Sequence, residues 1–217
     1  YIIRYTKKSF ITMSVRVKVC GITRCEDAKA AVRLGADAIG FVFWPHSARY
    51  INPEMAHHIA VNIPPFVCTV GVYVDPDVAW VEETIQAAQL DLLQFHGDES
   101  PEFCDQFSRP YIKAIRVKQD TDLLQYAERY GAAKGLLLDT YAANMPGGTG
   151  HVFDWHLIPQ QLPLPLILSG GLNPDNVAMA IKQTQPWAVD VSSGVEAAKG
   201  IKDEKKIFAF MQGVKQS

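Results

Sequence analysis

The sequence predicts an α/β protein built as a single closed (β/α)8 barrel. Short apolar runs alternate with helical patterns eight times from Val15 onward. The runs are predominantly apolar, and no Gly/Ser-rich linker or break in composition divides them. Continuously apolar strands separated by amphipathic helices indicate a parallel sheet covered by helices. Eight units in about 200 residues sit at the small end for a barrel. An open doubly wound sheet of this length usually has fewer strands, and no Gly-x-Gly-x-x-Gly follows the first one.

In chain order, Val15 to Cys20 reads as the first strand and Glu26 to Leu34 as its helix. Ala38 to Phe43 with Pro53 to Asn62, and Phe66 to Val74 with Pro76 to Ala88, form the next two units. Asp91 to Phe95 with Pro101 to Phe107, and Tyr111 to Val117 with Asp120 to Tyr130, form the fourth and fifth. Gly135 to Asp139 is the sixth strand, followed by a glycine-rich loop and a short helical stretch near Asp154. Leu164 to Ser169 with Pro174 to Gln183, and Ala188 to Ser192 with Asp203 to Val214, complete the set. Asn52-Pro53, Asp75-Pro76, Ser100-Pro101 and Asn173-Pro174 each place a capping side chain before a proline suited to the first helical position. Gly35 and Gly131 stand where left-handed helix ends are expected.

At 217 residues the chain fits one large domain or two small ones, and the unbroken pattern favours one. Residues 1–12 are expected to be an extension without fixed structure ahead of Met13, leaving 13–217 as the barrel domain. The formal net charge of −2, with no long basic run, makes nucleic acid a poor partner. An anionic ligand would have to be held by local donors. No apolar stretch approaches the ~18 residues of a membrane helix, so no membrane partner is expected. Cys20, Cys25, Cys68 and Cys104 form no Cys-x-x-Cys pair and match no zinc spacing. They read as reduced thiols of a cytoplasmic protein, with Cys25, Cys68 and Cys104 expected to be buried.

In a barrel, chemistry lies on the loops after the C-terminal ends of the strands. Cys20-Gly21-Ile22-Thr23, Trp44 to Arg49, His96-Gly97, Arg116, Asp139-Thr140, Ser169-Gly170-Gly171 and Ser192-Ser193-Gly194 all fall there. Gly170, Gly171, Ser192, Ser193 and Gly194 follow the last two strands, where this fold frequently holds a phosphate. Glycines let the backbone approach an anion closely, although each alone is also a plain turn residue.

Arg16, Lys18 and Cys20 share one face of the first strand, and Val15, Val17 and Val19 the other. The valines suit the outer helices, so Cys20 points into the mouth, either as a buried thiol or as a reactive one. Lys18 is expected to find a core partner, with Asp190 the candidate. Asp139 closes an apolar run, where lost hydration favours a carboxyl that keeps its proton. No helix pattern begins at Thr140, so a mere helix cap is the weaker reading. The loop Ala142 to Gly150 instead has the composition of a cover over a ligand. The fork of Arg49 suits a carboxylate, though a surface position fits it equally. His96 ends the fourth strand and either binds or shapes the rim. His46, His57, His58, His151 and His156 read as solvated.

These segments resemble the phosphoribosylanthranilate isomerase family. The resemblance rests on Val17 to Thr23, Gly40-Phe41-Val42-Phe43 with Ser47 to Tyr50, and Gln94-Phe95-His96-Gly97. It continues through Leu137 to Thr140, Gly147 to Gly150 with Phe153-Asp154-Trp155, Leu168 to Asn173 and Val189 to Glu196. It implies an Amadori rearrangement of a small phosphoribosyl substrate, with Asp139 as general acid and Cys20 as general base. Arg49 would pair with the anthranilate carboxylate, and the two glycine loops would hold the phosphate. No metal or cofactor is implied, because the substrate's own nitrogen is the electron sink. A monomer or homodimer is expected.

Two other readings compete. A histidine-pathway aminoaldose isomerase would be expected to place an aspartate where Cys20 stands, and the resemblance does not extend to the next enzyme of tryptophan synthesis. A non-catalytic phosphosugar-binding barrel would not need both Cys20 and Asp139.

Overall fold

A computed structural model describes residues 14–118, 120–139, 158, 159 and 161–217. Eight parallel strands close in sequence order. They are β1 (Arg16–Cys20), β2 (Ala38–Val42), β3 (Cys68–Tyr73), β4 (Leu92–Phe95), β5 (Tyr111–Arg116), β6 (Leu136–Asp139), β7 (Leu166–Ser169) and β8 (Ala188–Val191). β8 pairs back onto β1, with Lys18 in register with Asp190, and closure removes the exposed edges an open sheet would carry. Around the barrel lie α1 (Cys25–Arg33), α2 (Pro53–Ala60), α3 (Val78–Ala88), α4 (Pro101–Asp105), α5 (Leu123–Arg129), α6 (Val177–Thr184) and α7 (Glu204–Lys215). The expected extension 1–12, Met13, Thr140, the loop Ala142–Gly150, the helical stretch near Asp154, His151 and His156 lie outside the described residues.

The two-residue period of the strands sorts the core into two layers. Val17, Val19, Ile39, Phe41, Leu136, Leu138 and Val189 pack against helix residues such as Ala28, Ala31, Ile59, Val81 and Ile207. Ile112, Ala114, Leu137 and Ile167 form a separate, smaller cluster. Their alternation with the outer-layer residues places them inside the barrel. Lys18, Cys20, Gln94 and Asp190 share that inward parity, so the polar groups of the interior come from the same alternation that builds the core.

The helix starts depart from expectation at two of four sites. Asn52 and Ser100 cap as the sequence suggests, accepting from Met55 N at 2.8 Å and Phe103 N at 3.3 Å. Asp75 does not cap. It takes a left-handed φ of 46°, and its carboxylate accepts from Asp98 N at 2.7 Å, tying the loops after β3 and β4 together. Asp77 caps α3 instead, accepting from Trp80 N at 2.7 Å. Asn173 likewise accepts locally, from Asp175 N, in a turn that delays α6 until Val177. Gly35 has the expected positive φ, but Gly131 does not, and Gln89 and Gln185 close α3 and α6 in left-handed conformations. The four cysteines are free; Cys25 and Cys68 are half-buried rather than buried. An antiparallel hairpin, β9 (Glu196–Ala198) and β10 (Ile201–Lys202), follows β8 without any expectation of it from the sequence.

Candidate active site

Because the strands are parallel, their C-terminal ends share one rim. Cys20 closes β1 and Asp139 closes β6, three strands apart around the ring and so on opposite sides of the mouth.

Cys20 is buried above Lys18, whose ammonium lies 3.0 Å from Asp190 in an equally buried pair. Gly40 is the register partner of Cys20 on β2. A Cβ at Gly40 would meet Cys20 Sγ at 2.9 Å and Lys18 Cε at 3.1 Å, so the missing side chain makes the space that thiol and lysine occupy. Burial pushes the Cys20 thiol above its ordinary range. The Lys18 and Lys202 ammonium groups pull it down, and Asp190 pushes it up. Burial also works against charge on Lys18, but Asp190 and Cys20 outweigh it and leave its pKa raised.

Asp139 is half-buried, and its Oδ2 lies 3.2 Å from His96 Nε2. Gln94, buried one turn of the strand pleat below, has Nε2 3.0 Å from His96 Nδ1. An amide N–H donating to Nδ1 leaves the imidazole proton on Nε2, aimed at Oδ2 of the Asp139 carboxyl group. His96 therefore contacts the candidate acid directly, beyond the rim-shaping role that sequence left open. The loop carrying it is fastened from below by Lys113, which donates to Phe95 O, Gly97 O and Glu99 Oε2 at 3.2, 2.7 and 3.0 Å. Glu99 and Lys113 went unnoticed in the sequence, where neither ends a strand.

Arg49 reaches the rim but is already forked onto protein. Its Nε and Nη2 donate to the two oxygens of Glu196 at 2.7 and 2.8 Å. These bonds hold the Arg49 pKa above its ordinary value. The edge that includes Nη1 has no hydrogen bond among the described residues. Burial favours a neutral Glu196, yet bonds from Arg49 and Lys202 outweigh it and lower its pKa. Glu196 closes a motif that sequence inspection had already singled out, without a role; Lys202 gave no signal there.

Gly170 and Gly171 take φ of 85° and 66°, which side-chain-bearing residues rarely adopt. Gly194, in the turn Ser193–Val195, is needed for a different reason. A Cβ there would land on the Leu172 carbonyl oxygen, so the loops after β7 and β8 touch backbone to backbone. Ser192 and Ser193 lie in the same loop, half-buried and exposed respectively. No helix among the described residues is long and apolar enough to cross a membrane.

Chemistry-bearing side chains gathered on the C-terminal rim, with glycine loops after the last two strands, place the chain among the β/α-barrel enzymes. Residues 17–213 match the family model described as N-(5′-phosphoribosyl)anthranilate (PRA) isomerase. A relative of that name from Nitrosospira multiformis is 69% identical over 202 residues, spanning 93% of this chain and 97% of its own. The crystal structure of phosphoribosyl anthranilate isomerase from Thermotoga maritima superposes with a TM-score of 0.85 at 46% identity, covering 94% of this chain and all of the other. A crystal structure of such an isomerase in complex with reduced 1-(o-carboxyphenylamino)-1-deoxyribulose 5-phosphate gives a TM-score of 0.82 at 44% identity, covering 94% and 100%. The chain belongs to the phosphoribosylanthranilate isomerase family.

Proposed function

We propose that the chain converts N-(5′-phosphoribosyl)anthranilate to 1-(2-carboxyphenylamino)-1-deoxyribulose 5-phosphate, as a monomer or homodimer in the cytoplasm. The observation that carries this reading is the pairing of a thiol and a carboxyl group across one mouth in a chain of this family.

Asp139 gives its proton to the furanose ring oxygen as the C1′–O bond breaks. The anilino nitrogen lone pair moves into C1′, forming the iminium. Cys20, as thiolate, takes the C2′ proton, and the freed electron pair makes the C1′–C2′ double bond while the iminium electrons return to nitrogen. The resulting enolamine ketonises: C1′ gains a proton and the 2′-hydroxyl loses one. Nitrogen is the electron sink, so the reading needs no metal or cofactor. A thiol is mostly protonated at pH 7. The Lys18 and Lys202 charges near Cys20 work in the required direction.

The free edge of the Arg49 guanidinium is suited to the anthranilate carboxylate, a bidentate partner. His96 supports Asp139 at the edge of the substrate. Gly170, Gly171, Ser192, Ser193 and Gly194 supply the phosphate cradle. The solved relative in complex with reduced 1-(o-carboxyphenylamino)-1-deoxyribulose 5-phosphate, a reduced form of the proposed product, supports this reading.

The test is to add freshly prepared phosphoribosylanthranilate and follow its fluorescence. Cys20→Ser and Asp139→Asn should each lower turnover by orders of magnitude while circular dichroism stays unchanged. Near-full activity in both variants defeats the assignment of roles, and no turnover by the wild type defeats the activity itself.

A further inference from the structure

Lys202 lies in the hairpin outside the eight-strand barrel, yet its side chain is fully buried. Its ammonium group is 3.0 Å from Glu196 Oε1, 3.2 Å from the Ser192 carbonyl oxygen and 3.4 Å from Ser192 Oγ. Glu196 in turn holds Arg49 through two short bonds. One nitrogen therefore ties together the arginine that rises after β2 and the serine that opens the loop after β8. The two also converge on Gly21, after β1: a Cβ there would meet Arg49 Cδ at 2.6 Å and Ser192 Oγ at 3.2 Å. Three loops meet at this point, and Lys202 is the cation that bridges two of them from beneath.

Burying an ammonium group is costly unless bonds and an opposite charge compensate. Burial does lower the Lys202 pKa, against the opposing pull of Glu196. A fastening role for the hairpin alone does not require this lysine, since Thr23 Oγ1 already donates to Gly200 O at 2.6 Å and Lys206 donates to Glu196 O at 2.7 Å. The three bonds of the Lys202 ammonium instead all go to groups that set the two anion-facing elements of the rim.

We infer that Lys202 is a positioning residue that fixes the distance between the carboxylate-binding edge of Arg49 and the phosphate loop at Ser192, matching it to the two ends of one substrate. This rests on the proposed isomerase reading. It assigns to the hairpin a function in substrate fit that neither the fold nor the acid–base pair requires. Arg49 without its Glu196–Lys202 support would swing freely. Ser192 without Lys202 would lose the shorter of its two carbonyl bonds, keeping that from Val195 N at 3.4 Å. Both losses weaken binding, and loss of the Lys202 charge, which also pulls the Cys20 pKa down, adds a smaller fall in kcat.

The experiment measures KM and kcat on phosphoribosylanthranilate for the wild type, Lys202→Met, Lys202→Arg and Glu196→Gln, with circular dichroism and urea midpoints recorded for each. Lys202→Met should raise KM by about tenfold or more while kcat falls by less than about fivefold, the split expected when a positioning contact to bound substrate is lost. Lys202→Arg, which keeps the charge and its donors, should recover most of that KM. Glu196→Gln keeps its shape but loses both ion pairs, and should raise KM as well; it carries the test if Lys202→Met does not fold. A folded Lys202→Met or Glu196→Gln with KM within twofold of wild type overturns the inference, as does a fall in kcat alone. A wild type without turnover refutes the isomerase reading itself, a separate failure.

Discussion

Gly194→Ala puts one methyl group at the meeting of the two candidate phosphate loops. The added Cβ lands on the Leu172 carbonyl oxygen and comes within 2.9 Å of Leu172 C and 3.0 Å of Asn173 Cα. All three are backbone atoms, so no side-chain rotation relieves the overlap. Gly194 is not among the residues with positive φ, so the clash alone is being tested. Ordinary contact begins near 3.4 Å. The loops after β7 and β8 must therefore part by about 1 Å or more, and overpacking of this kind costs about 1–3 kcal/mol. A displacement of about 1 Å in groups that position substrate can lower the rate about 100-fold. Because the displaced groups form the proposed phosphate cradle, most of the loss should appear in KM, measured by substrate fluorescence, with a lower urea midpoint beside it. Gly131→Ala is the control: that glycine is exposed, its φ is not left-handed, and its Cβ would meet Glu128 O at an unstrained 3.4 Å. Gly194→Ala with the KM and urea midpoint of the wild type would show that the loops do not depend on this contact, and the reasoning fails.

Three further outcomes follow from charge and burial. Lys113→Met leaves Glu99 buried without its cation and should cost about 3–5 kcal/mol in urea unfolding; a loss below about 1 kcal/mol contradicts the role given to that pair. Lys18→Met and Asp190→Asn should shift the limb of the kcat/KM profile that is set by Cys20 ionisation in opposite directions. Loss of the ammonium raises the Cys20 pKa and moves the limb to higher pH, and loss of the carboxylate moves it lower; shifts of the same sign, or none, argue against Cys20 as base. Burial pushes the Cys68 thiol up to about 11 and Cys104 to about 12, from 9.0. A thiol with a higher pKa folded than unfolded stays protonated in the native chain while the unfolded chain ionises. Its stabilising effect is complete below pH 9 and declines as pH climbs from there through 11 and 12. Urea midpoints taken upward from pH 8 should fall, less steeply in Cys68→Ala; an identical slope in that variant rules the thiol out as a cause.

The barrel was legible because its signal is repeated. Eight apolar runs of strand length, each followed by a helical pattern, leave few ways to cover a parallel sheet, and errors of one or two residues at the ends do not change the count. The inward parity of Lys18 and Cys20 was legible from the valines between them, and Lys18 does meet Asp190 at 3.0 Å. Local punctuation was less dependable. Asp75-Pro76 and Asn173-Pro174 carry the same cap-then-proline pattern as Asn52-Pro53, yet the Asp75 carboxylate bonds across to the loop after β4 and Asn173 bonds within its own turn. The competing donors, Asp98 N in one case and Asp175 N in the other, belong to the folded arrangement or to a local turn that the dipeptide does not reveal.

Site residues divided along the same line. Cys20, Asp139, His96 and the glycines stand at strand ends, where chain position alone places them at the mouth. Glu196, Lys202, Gln94 and Lys113 do not, and each acts through a neighbour. Glu196 is 147 residues from Arg49, and Lys113 on β5 lies 14 residues from Glu99 in the loop after β4. A lysine in an exposed-looking Gly-Ile-Lys-Asp segment reads as surface, and only the returning hairpin turns it inward. These four supporting residues gave no pattern because their partners are fixed by the folded arrangement; for Arg49 and Glu196 it is closure of the ring that brings the end of the chain beside its beginning. The same closure makes the rim a single mechanical unit. The arginine after β2 is held by residues after β8, so a substrate that spans the mouth meets donors whose separation is set by the barrel rather than by any one loop.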